Sequence, residues 1–425
     1  MPEFKAFKDQ VYETLKSKYD SSNLFVDPEF PTTIKSLAEH KEGKAETIVW
    51  KRPKDINPNA QFVVNSYEKE DLNQGEVGNC WFIAGCGAIT LNKPFLERVI
   101  PQDQSFDEST YAGIFHFRFW LYGEWLDVVI DDQLPCTQDG GFIYCRNVKD
   151  KNEMWAPLLE KAYAKVHGSY QTLDGGHMNE ALIDMTAGLD ETFKLSKLDA
   201  KNDKQPNYKE TIKRIMYQAY AKNSMLGCSI NADPLKPEES LSSGLIAGHA
   251  YIVIDVQDIT TNNDQKVSLV KVRNPWGSGG EWNGNWSDNS TVWDTVSDEV
   301  KEKLKYKKLD DGEFWMSFDE FFSNFHEVDI CHCGPSSFEA IAKQEDSSKP
   351  VDQSETEEEC AFKGEEFSEL DYDTIGPDDD TLDIIVEIID PDEMTETTDE
   401  TDQPTDAEDP NAQEDSNADA NNEAT

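Results

Sequence analysis

The period of the apolar positions changes several times along the chain, and each change marks an element. Near the start, Phe4, Phe7, Val11 and Leu15 recur at helical spacing. That predicts a short helix over residues 1–20, docked by one face on the body, with a detachable segment as the alternative. Gly75 and Gly78 precede a mostly apolar stretch, Cys80-Trp81-Phe82-Ile83-Ala84, that continues through Ile89 and Leu91. A loop feeding a buried helix whose first residue lies near Cys80 follows. Phe115, Phe117 and Phe119 alternate within Tyr111–Leu121, Gly123 turns the chain, and Trp125–Ile130 returns, which reads as a β-hairpin. Glu153–His167 predicts a helix with Trp155, Leu158, Leu159, Ala162 and Val166 inward. Gly175-Gly176 and Gly188 then interrupt the pattern and suggest a joint between two subdomains. Beyond it, Tyr208–Ala221 reads as a helix, and Ala250–Val256, Val267–Val272 and Glu313–Phe318 as strands. The second half is strand-rich.

After about Gln344 the pattern dissolves into Asp, Glu, Thr, Pro, Asn and Ser. The whole chain of 425 residues has a formal net charge of −46. Residues 345–425 contain 31 Asp and Glu and two Lys, which nets −29 and leaves −17 for the rest. The charge thus separates a folded body from a solvated tail. The tail lacks the apolar surface to offset its ordering entropy and is expected to be disordered. One apolar island, Leu382 to Ile389, interrupts it; a partner-binding segment, a remnant of a lost domain and a dock onto the body are all open readings. So acidic a chain excludes nucleic acid as a partner.

Eight cysteines occur, the start carries no apolar leader, and no apolar run approaches the ~18 residues of a membrane span. A reducing, cytoplasmic setting with free thiols is expected. Cys331-His332-Cys333 suggests a metal at first sight, but no second Cys pair has zinc spacing.

Chemistry concentrates in three residues. Cys80 sits where a helix begins, and a helix N-terminus favours a thiolate. His249 precedes the strand Ala250–Val256, and Asn274 follows Val267–Val272, so a hairpin would carry both at one end. An imidazole can take the thiol proton, an amide oxygen can fix its tautomer, and Trp276 could shield that bond from water. By itself, Cys–His–Asn order is weak: a buried structural thiol and a satisfied core histidine are the commoner outcomes.

The local words are more specific. Gln74-Gly75-Glu76-Val77-Gly78-Asn79-Cys80-Trp81-Phe82, Gly248-His249-Ala250-Tyr251 and Arg273-Asn274-Pro275-Trp276-Gly277 resemble the calpain family of papain-like cysteine proteases. The resemblance begins near Leu24-Phe25-Val26-Asp27-Pro28 and fades after about Cys333. It implies an α+β fold in two papain-like lobes, a helical lobe and a β-rich lobe. It implies Cys80 as nucleophile, His249 as base then acid, Asn274 as orienter and Gln74 as the side-chain donor of the oxyanion hole. Trp276 matches a gating residue that separates the halves without calcium. Two Ca²⁺ sites are implied as well. The first maps onto Val64, Ser66, Asp71 and Glu153, the second onto Glu281, Asp288, Leu309, Asp311 and Glu313. The hard oxygens of such sets suit Ca²⁺, and no organic cofactor is implied.

Departures from the family pattern are Ser66 for a usual Gly, Leu309 for Met, Asn79 for Asp and Asn73 for Cys. The loop Gly277-Ser278-Gly279-Gly280 is one residue longer than usual. No EF-hand loop appears, so dimerisation by that route is not expected, and a monomer is. The expected organisation is an N-terminal segment at 1–23, a nucleophile lobe at 24–177, a His/Asn lobe at 178–344 and an acidic tail at 345–425. The expected activity is calcium-activated cleavage of exposed, flexible segments of proteins through an acyl-enzyme. The tail would serve solubility first, with weak concentration of Ca²⁺, a basic partner or inhibition by covering the cleft as alternatives. Rival readings are a binding protein that keeps the fold without turnover, and a transglutaminase-type acyltransferase, which would want Asp where Asn274 stands.

Overall fold

The computed structural model describes residues 4–37, 48–195, 207–232 and 239–333, all within one compact unit. The acidic stretch after residue 344 and its apolar island lie outside the described residues. The chain opens with β1 (Lys5–Ala6), a 3₁₀ turn at Phe7–Asp9 and a short α1 (Tyr12–Lys16). The helix expected over residues 1–20 is therefore corrected. Lys8 and Asp9 have φ of 55° and 58°, which breaks the periodicity, and Tyr12 is buried while Val11 is exposed. The nucleophile segment forms α2 (Cys80–Ile89). The aromatic hairpin is β2 (Ile114–Leu121) and β3 (Glu124–Asp131), paired Phe117↔Val128 and Trp120↔Trp125. β1 adds to β3 in parallel, giving the order β1-β3-β2.

The helix expected at Glu153 starts two residues later as α3 (Trp155–His167), and α4 (Met178–Thr186) follows. Next come β4 (Leu189–Lys194), α5 (Tyr208–Ala221) and β5 (Met225–Ile230). The two long strands β6 (His249–Thr260) and β7 (Lys266–Arg273) precede β8 (Glu313–Ser317) and β9 (Glu327–His332). Six of these strands form one sheet in the order β8-β7-β6-β5-β9-β4, with every pairing antiparallel.

Two of the four hydrophobic clusters among the described residues hold most of the core. The first gathers α2, α3, α4 and the hairpin around Trp81, Phe82, Phe115, Phe117, Phe119 and Tyr163. The second lies on the sheet, around Tyr251, Val270, Val272, Phe314 and Phe321. α2 joins them. Gly87 approaches β6 so closely that a Cβ there would sit 2.5 Å from Ile252 Cδ1. Antiparallel pairing of Ile252 with Arg273 brings the start of β6 and the end of β7 to the same edge. His249 belongs to the strand, correcting the expectation that it precedes one, and Asn274 lies just past the end of its partner.

Candidate active site

The loop before α2 is held on both sides. Asn73 exchanges two backbone hydrogen bonds with Arg146, each 3.1 Å, and Glu76 N–H donates to Ile143 O at 3.0 Å. Gly75 passes so close to this segment that a Cβ would lie 2.3 Å from Ile143 O, so only glycine fits. On the other side Gly175 N–H donates to Gly78 O at 2.9 Å. Asn79 ends the loop, and Cys80, a buried thiol, is the first residue of α2. There the helix dipole favours negative charge on sulfur.

On the sheet side His249 Nε2 lies 2.8 Å from Asn274 Oδ1. Asn274 Nδ2 donates to Gly279 O at 2.9 Å, which fixes the amide with its oxygen toward the imidazole. His249 Nε2 must then donate, and Nδ1 is the nitrogen able to take a proton from a thiol. The extra glycines of the 277–280 loop have a purpose here: a Cβ on Gly280 would meet Asn274 Nδ2 at 2.4 Å. Both His249 and Asn274 are about fully buried. Burial lowers the imidazole pKa to about 4, with the Asn274 bond opposing, so the ring is neutral at pH 7.

Trp276 connects the two sides. Its ring centroid lies 4.7 Å from that of His249, its N–H donates to Asn274 Oδ1 at 3.0 Å, and its indole N–H donates to Gln74 Oε1 at 2.9 Å. Gln74 Nε2 donates to Val77 O at 2.9 Å, which leaves its second N–H for another acceptor. The structure thus brings Gln74, Trp276, His249 and Asn274 into one hydrogen-bonded group with two rings in tilted contact, and the Cys80 helix start closes the Gln74 loop.

Residues 25–332 match the model of the family described as calpain family cysteine protease. The chain belongs to the calpain family of cysteine proteases. It is 42% identical to calpain-A of Drosophila melanogaster over 332 residues, 77% of this chain and 38% of that protein. It is 40% identical to calpain clp-4 of Caenorhabditis elegans over 333 residues, 78% of this chain and 45% of that one. It is 42% identical to human calpain-9 over 335 residues, 78% and 46% of the respective chains. The chain spans less than half the length of these curated relatives.

The calpain family is calcium-regulated, and the implied ligand residues fall into two neighbourhoods. In the first, Asn147 Nδ2 donates to both Asp71 Oδ1 (3.0 Å) and Glu153 Oε2 (2.8 Å), so one amide bridges two buried carboxyl groups. Burial first, and Asp71 among the further causes, raise Glu153 to about 7, and Asp71 is raised too. Val64 N–H donates to Glu153 Oε1, while Val64 O accepts from Ser66 N–H at 2.9 Å. Two crowded carboxyls, one of them bonded to the Val64 N–H, suit a hard cation.

In the second neighbourhood, Glu281 Oε1 accepts from Gly312 N–H (2.7 Å) and Asp288 Oδ2 from Leu309 N–H (2.9 Å). Burial, then neighbouring acids including Asp311, raise these two groups to about 7 and about 6. Glu313 differs. Despite burial, Lys271 and Lys69 lower it to about 2, at 2.6 and 2.9 Å from its oxygens. Its carboxylate is already neutralised and is the least available of the set. Among the described residues no three His, Cys, Asp or Glu side chains gather into a metal-holding group.

Sequence reading overlooked one buried carboxyl. Glu160 of α3 accepts from Asn79 Nδ2 and from Cys145 N–H, both at 2.8 Å, directly behind the nucleophile loop. The available signal was a charged residue off the stripe of Trp155, Leu158, Leu159 and Ala162, on a second apolar face with Ala156, Tyr163 and Ala164.

Proposed function

We propose that this chain is a calcium-activated cysteine endopeptidase of papain-like, two-lobed build, with the lobes divided near residue 177 and an acidic C-terminal stretch after them. The 2.8 Å His249–Asn274 contact carries this reading, because it commits Nε2 to Asn274 and so assigns Nδ1 the part of the base.

Cys80 Sγ loses its proton to His249 Nδ1 and attacks the peptide carbonyl carbon. The carbonyl oxygen becomes an oxyanion that the Cys80 N–H and Gln74 Nε2 stabilise. The C–N bond breaks, and the amine leaves with the proton held on Nδ1. Water then attacks the thioester, giving its proton to Nδ1, and release of the acid returns the thiol. Asn274 keeps Nε2 occupied throughout, so the imidazole offers Nδ1 at each step.

Asp71 and Glu153, with the carbonyls of Val64 and Ser66, are the residues that would hold one Ca²⁺. Glu281, Asp288, Asp311 and Glu313, with the Leu309 carbonyl, would hold the other. Calcium would neutralise carboxylates that otherwise repel and so favour the joined arrangement of the two loops. Asp71 lies three residues before Gln74, so a cation bound there would act directly on the oxyanion loop. Trp276 would be the part that this rearrangement seats or unseats. The substrates are exposed, flexible segments of cytoplasmic proteins, and the enzyme acts as a monomer.

Hydrolysis of an unfolded fluorescent protein by wild type and Cys80→Ala, in millimolar Ca²⁺ or in chelator, tests the reading. Activity is expected only for wild type with Ca²⁺. Activity in Cys80→Ala would remove the nucleophile assignment. Its absence from wild type would favour a fold retained for binding.

A further inference from the structure

Asn73 belongs to none of the roles above, yet the residue is 4% exposed and both ends of its side-chain amide are bonded. Its main chain is pinned by both bonds to Arg146. Its Oδ1 accepts from Val148 N–H at 3.1 Å, which fixes the amide orientation and turns Nδ2 outward. Nδ2 donates to Trp276 O at 3.0 Å, across 203 residues of sequence. The fit is close: a Cβ on Gly277 would lie 2.4 Å from that nitrogen, and Gly277 also has φ +76°. Asn73 and Gln74 therefore hold one tryptophan by its carbonyl and by its indole N–H.

We propose that Asn73 is a positioning residue for the oxyanion hole. It fixes the backbone of Trp276, and through the indole it fixes Gln74 with its Nε2 toward the reacting carbonyl. A thiol at this place, the residue usual in the resembling family, is a weak donor and too short to reproduce an amide spanning to Trp276 O. The latch is thus a feature of this chain. The proposal rests on Gln74 acting as the oxyanion donor.

Asn73→Asp keeps the oxygen that accepts from Val148 and replaces the donor to Trp276 O with an acceptor. The expected result, at saturating Ca²⁺, is a fall in kcat of about tenfold with little change in KM, the size expected for one lost buried hydrogen bond. Alkylation of Cys80 by iodoacetamide develops no oxyanion, so its rate and pH profile should stay within about twofold of wild type. In a Trp276→Phe background, where the indole link is already gone, Asn73→Asp should cost less than about twofold more. Asn73→Ser, whose hydroxyl is too short to reach Trp276 O and which carries no charge, repeats the test should the Asp variant fold poorly. A parallel loss of alkylation and hydrolysis would overturn the proposal, as would an undiminished cost in the Trp276→Phe background or an unchanged kcat in both Asn73 variants. A wild type without hydrolysis would instead defeat the underlying proposed function.

Discussion

Glu160→Gln should change the pH dependence of stability in a defined direction. Glu160 is 1% exposed, and burial raises its carboxyl from the ordinary 4.5 to about 7, against the pull of Asn79 and the Cys145 N–H. Between these values the folded protein holds a proton that the unfolded chain has released. Stability therefore falls as pH rises through this window, by about 1.4 kcal/mol per unit and about 3 kcal/mol in all. Glutamine cannot titrate, and it offers one acceptor where the carboxyl offers two. The variant therefore carries a pH-independent cost of about 1–3 kcal/mol from the unmatched donor. Equilibrium urea unfolding in chelator, at half-unit steps from pH 4.5 to 8, reads both parts. Asp184 and Glu153, also raised to about 7, tilt the wild-type curve the same way, so the difference between variant and wild type is the measured quantity. That difference should move in favour of the variant by about 3 kcal/mol across the range. Parallel curves would show that Glu160 ionises at an ordinary pH inside the fold, and the burial argument would be refuted.

Three further outcomes follow from the site. Asn274→Ala should lower kcat by about 100-fold, the scale of a misoriented general base, while the protein stays folded; a loss under threefold would remove its orienting role. Lys69→Met breaks the 2.9 Å pair with Glu313 at positions 19% and 11% exposed and should lower stability by about 1–3 kcal/mol at pH 7. Because Glu313 is depressed to about 2, its contribution is present above pH 4.5 and is lost as pH falls toward 2, so the wild-type advantage should shrink in acid; thermal unfolding at pH 7 and pH 3 checks both. Asp71→Asn with Glu153→Gln should raise the melting temperature in chelator by relieving the crowded carboxyls, and should reduce the further rise produced by Ca²⁺. An undiminished calcium response would place the cation elsewhere.

Much of the site could be read from sequence because its geometry is made by neighbouring residues. Gly75 before Cys80, and the Asn-Pro-Trp-Gly run at 274–277, are local demands of close backbone approach and positive φ. The helix at Tyr208–Ala221 was equally clear, since its apolar face repeats without interruption. The N-terminal segment was not, because its order comes from tertiary contacts. Two residues pair with β3, and Tyr12 stacks on buried His116 with centroids 3.6 Å apart, 104 positions away in sequence. β5 and β9 lie inside the sheet and run without alternation, so no period announced them.

What joins the local words is a set of buried asparagines. Asn73, Asn79, Asn147 and Asn274 are each 6% exposed or less. Each crosses between segments: Asn73 to Trp276, Asn79 to Glu160, Asn147 to Asp71 and Glu153, Asn274 to His249 and Gly279. A lysine or arginine could make the same bonds to carboxylates, but burying its charge costs several kcal/mol unless every donor is matched. An amide supplies a donor and an acceptor without that penalty and without titrating. The frame around the catalytic group is therefore indifferent to pH. The carboxyls it holds, Glu153 and Glu160 at about 7, are free to respond to protons or cations. Asparagine is a common loop residue, and nothing in its spacing separates a buried crosslink from a solvated turn. For that reason, the His249–Asn274 bond apart, the words of the site were legible and the bonds between them were not.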